Sequence, residues 1–193
     1  MDAILQQVAG SEMMSLLDGF SGYNQVFINP QNHYKTTFTT WWGTYAYHRM
    51  PFGIINVGAT FQREMQISFN YLIGVIIQIF LDDLIVYLHK HADHLEHLRQ
   101  VFIWCRQYDI SLNPTKSIFD TTEGNFLGHI VLEEGMRIDP ARVTAIQNLP
   151  PPTSKKASHS IMGKINFVRR FIPNITQIIK PINSLLCKDM NFD

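Results

Sequence analysis

The chain has 193 residues, 46% hydrophobic and 12% aromatic, with equal numbers of basic and acidic side chains and a pI near neutral. That length supports one core or a compact pair of subdomains. Zero net charge excludes a globally basic nucleic-acid binder, so any such binding needs a local patch.

In chain order, "AILQQV" predicts a short amphipathic helix, followed by the approach to a strand. No basic flank or long apolar segment of a signal peptide precedes it. "GFSGYNQVFI" (19–28) follows a Gly-rich turn and alternates apolar and polar residues, which predicts a strand. "KTTFTTWWGTYAYHRM" (35–50) is rich in β-branched and aromatic residues and split by Gly43, so it reads as a hairpin. From Thr60, the spacing of Phe61, Met65, Phe69 and Leu72 predicts a helix with one apolar stripe. Gly74–Phe80 and Leu84–Leu88 are apolar runs of strand length, a hairpin with Asp82 and Asp83 between them. The same charges make the longest apolar stretch, Tyr71–Leu88, a poor membrane span.

Asp93 and Glu96 have the spacing of a capping box ahead of a helix carrying Leu95, Leu98, Phe102 and Cys105. "ISLNPTKSIF" (110–119) has the composition of strand, turn and strand, and "NFLGHIVLEEGMRI" (125–138) that of a hairpin turning near "EEG". Asp139-Pro140 predicts an N-cap and first-turn proline. The Pro-rich stretch 150–154 is the one subdomain linker the sequence offers. Beyond it, Ile161, Ile165, Val168 and Phe171 mark a final helix. The mixed element order gives an α+β class, with units 1–149 and 150–193. Cys105 and Cys187 form no CxxC pair, which points to a reducing, intracellular setting and a soluble chain without a membrane.

The question the sequence poses is why Asp82 and Asp83 lie inside "QIFLDDLIVYL". Ionised carboxylates are costly in apolar surroundings unless paired or holding a metal. Asp18 in "MMSLLDGFSGY" has a similar setting, closing an apolar run before a turn. Carboxylates converging from different strands suit hard cations such as Mg2+, and two such ions can clamp the attacking and leaving oxygens of a phosphoryl transfer. Equally, "DD" is common turn chemistry. His89, His91, His94 and His97 raise zinc, but with no cysteine beside them they read as a solvated polar face of an exposed helix.

Four blocks together, "LLDGFSGYNQVFI", "KTTFTTWWGTYAYHRMPFGIINVGATFQREM", "IFLDDLIVYL" and "ISLNPTKSIF…NFLGHIVLEEGMRIDPARVTAIQNLPPP", resemble the reverse transcriptase of gypsy-class LTR retrotransposons, most closely those of plants. "MGKINFVRRFIPNI" resembles the segment found there after the catalytic core. The resemblance implies a palm, an antiparallel sheet backed by helices, over 1–149 with partial fingers, and the start of a thumb or connection over 150–193. It implies Asp18 and Asp82 as direct ligands of two Mg2+ ions (Mn2+ as a substitute), with Asp83 a less direct one.

It further implies a nucleotide pocket of Gly19, Phe20, Ser21, Gly22, Tyr23, Phe52, Gly53 and Gln62. In that pocket Tyr23 lies under the incoming sugar, and backbone N–H groups of residues 19–22 meet the triphosphate. Taken in isolation, Tyr23 is also an ordinary strand aromatic and Gln62 a solvent-facing helix residue. Lys116 corresponds to the lysine near the departing pyrophosphate, a general acid or charge neutraliser. Phe126, Leu127, Gly128 and His129 correspond to the hairpin that grips the primer end. Lys164, Arg169 and Arg170 would meet duplex phosphates, although most such clusters are solvated faces.

The resemblance also exposes departures. The strands that form most of the family's fingers, and the protease, RNase H and integrase regions of the polyprotein, are expected to be missing, so an N-terminally truncated chain is expected. The expected partners are an RNA template, a DNA primer, dNTPs and those missing regions. Three functions follow: an RNA-directed DNA polymerase core, a retroelement remnant keeping the palm without significant activity, and a stand-alone metal-dependent phosphohydrolase with only the carboxylates behind it. The compartment, cytoplasmic particle or nucleus, stays open.

Overall fold

The structure is a computed structural model that describes residues 2–88 and 93–186. His89, His91 and Cys187 lie outside the described residues. The chain divides into two units, Met1–Met136 and Arg137–Asp193, a boundary upstream of the Pro-rich stretch 150–154.

The first unit is built on a four-stranded antiparallel sheet in the order β4-β5-β1-β6, from β1 (Met13–Asp18), β4 (Ile77–Phe80), β5 (Asp83–Leu88) and β6 (Ile118–Thr121). β5 and β1 are central, so both of their faces are covered and they read as nearly continuous apolar runs. Alternation along the strands divides their side chains between two cores. Leu17, Leu84 and Val86 pack with α2 (Val57–Ser68) and α3 (His94–Gln107) through Phe61, Met65, Leu98, Val101 and Cys105. Met14, Ile85 and Tyr87 face the other way, onto Leu5 and Val8 of α1 (Asp2–Val8) and onto Phe126 and Val131. The small sheet supplying those last two comprises β7 (Glu123–Phe126), β8 (His129–Leu132) and β9 (Gly135–Ile138). Gly124 allows it to approach, because a Cβ there would stand 2.3 Å from Leu16 Cδ1.

Between β1 and α2, β2 (Phe38–Thr40) and β3 (Gly43–Tyr45) form a separate two-stranded hairpin. The second unit holds α4 (Pro140–Gln147), α5 (Lys155–Val168), α6 (Ile175–Ile178) and α7 (Lys180–Ser184). Asp139 caps α4 as its sequence predicts, accepting from the Ala141 N–H at 2.9 Å.

Four expectations need correction. Residues 19–28 are not a strand: Ser21 takes a left-handed conformation (φ 51°), and Gly22–Gln25 is a 3-10 turn. Only the end of the stretch is extended, with Ile28 N–H donating to His48 O and Met50 N–H to Val26 O. Residues 125–138 turn twice rather than once, because Leu127 and Gly128 both adopt positive φ (53° and 76°), the backbone of a tight two-residue hairpin loop. Asp93 precedes α3 but makes no side-chain capping bond. His94, expected on a solvated face, is buried, with its Nε2 2.8 Å from Ser15 Oγ on β1, while Ser15 Oγ accepts from the Asp120 N–H.

Candidate active site

Asp18 ends β1 and Asp83 begins β5, and the two are direct cross-strand partners. Side chains paired in this way share a face of the sheet. By alternation it is the face of Met14, Leu16, Ile85 and Tyr87, so a buried apolar stripe ends in two carboxylates. Asp82 occupies the second position of the two-residue turn joining β4 to β5. Burial, then the Asp82 charge, then the Asp18 charge push the Asp83 carboxyl above the usual carboxylate range. The arrangement concentrates negative charge at one sheet end, where a divalent cation would offset it.

Three segments fix these positions. The turn after β1 docks on Asp82, with the Gly19 N–H donating to Asp82 O at 2.9 Å. Cβ atoms at Gly19 or Gly22 would lie 3.7 Å or 3.5 Å from Asp82 Cβ. The loop "NPTKS" clamps the Asp18 backbone from both sides: Asn113 N–H donates to Asp18 O at 2.7 Å, and Asp18 N–H donates to Ser117 Oγ at 3.2 Å. Finally, Leu81 sits at φ 56°, uncommon for a branched residue. Its N–H is held by Gln62 Oε1 at 2.6 Å, while Gln62 Nε2 donates to Ile79 O at 3.2 Å. Gln62, expected at the nucleotide pocket, thus has both ends of its amide engaged with the hairpin backbone and positions the carboxylate tip from α2.

Tyr23 joins an aromatic cluster, 5.1 Å from the Phe52 ring and 5.4 Å from Phe61. Gly58 lies beneath it, and a Cβ there would meet Leu81 Cδ2 at 3.6 Å and the Tyr23 hydroxyl at 3.8 Å. The cluster therefore adjoins the Asp82 turn, with Phe52 largely exposed and Gly53 in a positive-φ bend. Of the backbone N–H groups of 19–22 expected to meet a triphosphate, three are engaged within the fold. Gly19 donates to Asp82 O, Phe20 to Ser111 O and Gly22 to Gly19 O. Gln25 locks the same turn, donating to Phe20 O and Ser111 O and accepting from the Ser111 N–H.

Lys116 Nζ lies 3.8 Å from Asp18 Oδ2, a pair that is weakened by the exposure of the lysine and leaves the ammonium at the carboxylate cluster. In "FLGH", Phe126 and His129 are both buried, Phe126 in the α1-facing core. Only Leu127 and Gly128 form the hairpin tip. Lys164, Arg169 and Arg170 are exposed in the second unit, with Lys164 on α5.

Among the described residues, no three His, Cys, Asp or Glu form a closed ligand set for a metal ion, so the three aspartates are neighbours rather than a finished cage. No helix among them is long and apolar enough to cross a membrane. Residues 2–131 match the family model for reverse transcriptase (RNA-dependent DNA polymerase). The chain belongs to the reverse transcriptase family. It is 35% identical over 193 residues to the retrovirus-related Pol polyprotein from transposon 297 of Drosophila melanogaster, covering all of this chain and 18% of that protein. It is 30% identical to the corresponding polyprotein from transposon gypsy of Drosophila melanogaster, covering 95% of this chain and again 18% of that protein. The chain thus spans about a fifth of the length of the curated relatives it matches.

Among solved structures it is similar to a foamy viral protease-reverse transcriptase in complex with double-stranded DNA, with TM-score 0.88 and 27% identity over 99% of this chain and 34% of that one. A second, in complex with an RNA/DNA hybrid, gives TM-score 0.83 at 27% identity, covering 98% of this chain and 26% of that one.

Two positioning groups of this site are absent from the sequence reading: Gln25 and the Asn113–Ser117 clamp. The signal for the clamp lies in "NPTKS", where Asn113 Oδ1 accepts from both the Thr115 N–H and hydroxyl, a turn that needs Asn at its first position. Gln25 carries no local signal, since its partners at 20 and 111 become neighbours only through the fold.

Proposed function

We propose that this chain is the polymerising core of an RNA-directed DNA polymerase that extends a primer 3′-hydroxyl by two-metal nucleotidyl transfer. The observation that carries the proposal is the cross-strand pairing of Asp18 with Asp83 beside Asp82 at one end of a buried sheet. The donor chemistry fits a divalent cation: three carboxylates, hard oxygen ligands, with the Asp83 carboxyl pushed up by burial and its two neighbours. When bound, two Mg2+ ions lower the pKa of the attacking hydroxyl and offset charge on the departing pyrophosphate.

The chain's own residues supply the remaining functions. Asp18 and Asp82 are direct ligands in this reading, and Asp83 tunes the charge of the pair. Tyr23 and Phe52 give the incoming sugar and base an apolar bed, and Gly53 leaves space beside them. Ser21, together with the exposed Phe20, lines the same turn. Lys116, tied to Asp18, brings positive charge toward the leaving phosphates. The Leu127–Gly128 tip is the part of its hairpin open to a primer. Lys164, Arg169 and Arg170 neutralise duplex phosphates. dNTPs, an RNA template and a DNA primer are the substrates; the family's relatives are polyproteins, so fingers, RNase H and integrase regions are the proposed companions.

The test is primer extension on an RNA template with Mg2+. Synthesis that disappears in Asp82→Asn and in Asp18→Asn, while both variants stay folded, supports the proposal. Absence of extension by the wild-type chain, also with Mn2+ and with fingers strands supplied, refutes it in favour of a palm that has lost its activity.

A further inference from the structure

Between Asp18 and Glu64 the sequence contains no carboxylate at all, yet this stretch carries Lys35, Arg49 and Arg63 and eleven aromatic residues. In a chain of zero net charge, that is a local cationic, aromatic segment. Its outermost feature is the turn of the β2–β3 hairpin, where Trp41 is 98% and Trp42 84% exposed. Two adjacent indoles in water forgo the burial that large aromatics normally obtain.

The turn is ordered rather than loose. The Trp42 N–H donates to Thr40 Oγ1 at 3.2 Å, the Thr40 hydroxyl donates to Gly43 O at 3.1 Å, and Gly43 adopts φ 140°. Behind the tip, Phe38 stacks on Tyr45 at 6.0 Å and lies 5.1 Å from Tyr47, all three partly open to solvent. Arg49 covers the exposed Phe27 ring at 4.1 Å. The flanking positions 36, 37, 39, 40 and 44 are all Thr, not the aliphatic residues that line a protein-binding groove.

We propose that the Trp41–Trp42 tip is a stacking platform for an unpaired nucleic-acid strand. Bases stack on the indoles, while Lys35 and Arg49 attract the phosphates and no carboxylate of the segment repels them. The inference rests on the polymerase reading only in taking the strand to be single-stranded template; the chemistry itself accepts RNA or DNA.

The experiment is carried out on the whole chain in EDTA, so that the carboxylate cluster contributes no metal-mediated contact. Trp104→Phe removes the one other indole, which is half-buried against Tyr108. In that background, oligo(dT) and oligo(rU) should quench the tryptophan emission saturably. Anisotropy of labelled oligonucleotide should show that Trp41→Ala and Trp42→Ala each lower affinity between about five- and a hundredfold. Phe at either position should keep most of the affinity and Leu should not, because only Phe retains a stacking face.

Equal affinity of the wild type and the double Ala variant overturns the proposal. So does Leu performing as well as Phe, which would mark an apolar seat for a protein partner, or a wild-type chain that binds no oligonucleotide at low salt. Circular dichroism checks that the variants stay folded. Oligonucleotide binding that depends on both indoles, without primer extension, supports the platform and counts against the polymerase reading alone.

Discussion

Two of the hairpins with two-residue tips invite comparison, Leu81-Asp82 between β4 and β5 and Trp41-Trp42 between β2 and β3. They are packed in opposite ways. The β4–β5 hairpin is sunk in the sheet, with Ile77, Ile79, Leu84, Ile85 and Val86 all buried, and its tip is held by Gln62 from α2 and by Gly19 after β1. The β2–β3 hairpin has no fully buried residue, and its tip is held by its own Thr40. Metal chemistry needs carboxylates fixed to a fraction of an ångström by neighbouring elements. A stacking surface needs exposure, and it tolerates a turn that supports itself.

The largest expected effect of breaking this contrast lies at the acidic tip. Asp82→Asn should lower primer extension by about a thousandfold or more, the loss of several kcal/mol of charge stabilisation at the reacting phosphate. The change should not lower metal-free stability, which chemical denaturation checks. Next comes the strand beneath. Ile85→Ala, with Ile85 fully buried between Leu16 and Gln78, should cost about 2–5 kcal/mol in urea unfolding. The matching change in the other hairpin, Thr44→Ala on exposed β3, should stay within about 0.5 kcal/mol. Similar costs at the two sites would mean that the hairpins do not differ in the way described. Gln62→Ala comes third: it strips the Leu81 N–H and Ile79 C=O of their partner and should cost about 1–3 kcal/mol. Because Gln62 acts through the turn, kcat should fall while KM for dNTP holds. A rise in KM alone would instead return Gln62 to the nucleotide pocket.

The same contrast explains what was legible in the sequence. Apolar runs interrupted by Asp82 and Asp83 announced the buried hairpin, because burying both faces leaves little compositional freedom, and the stripe of Phe61, Met65 and Phe69 announced α2. The β2–β3 hairpin was legible too, from its β-branched and aromatic content, but over a wider span than the six residues that pair. The errors cluster where one backbone angle or one distant partner decides. Ser21 in a left-handed conformation turns a strand-like pattern into a 3-10 turn, and Leu127, also left-handed, opens a two-residue hairpin tip inside an expected arm. His94 reads as polar helix surface until Ser15 of β1 reaches it from 79 residues away. Gln62 is likewise ambiguous until the hairpin arrives beside it. Packing patterns are local in sequence, whereas hydrogen-bond partners across the fold are not.

The smallest effect separates the tips by charge. The Asp83 carboxyl is pushed up by burial and by its two acidic neighbours, so its ionised form is disfavoured in the folded state. Stability from this group is therefore complete below the ordinary carboxylate range and is lost as pH rises through the raised native value, since the folded chain holds the proton longer than the unfolded one. Metal-free wild type should lose melting temperature over that window relative to Asp83→Asn, and saturating Mg2+ should reverse the loss in wild type only. The acid-free segment around Trp41 and Trp42 has no carboxylate to titrate there, so replacing both indoles should leave the slope unchanged. A slope that survives Asp83→Asn would place the strained carboxylate elsewhere and remove the electrostatic argument for a cation at this sheet end.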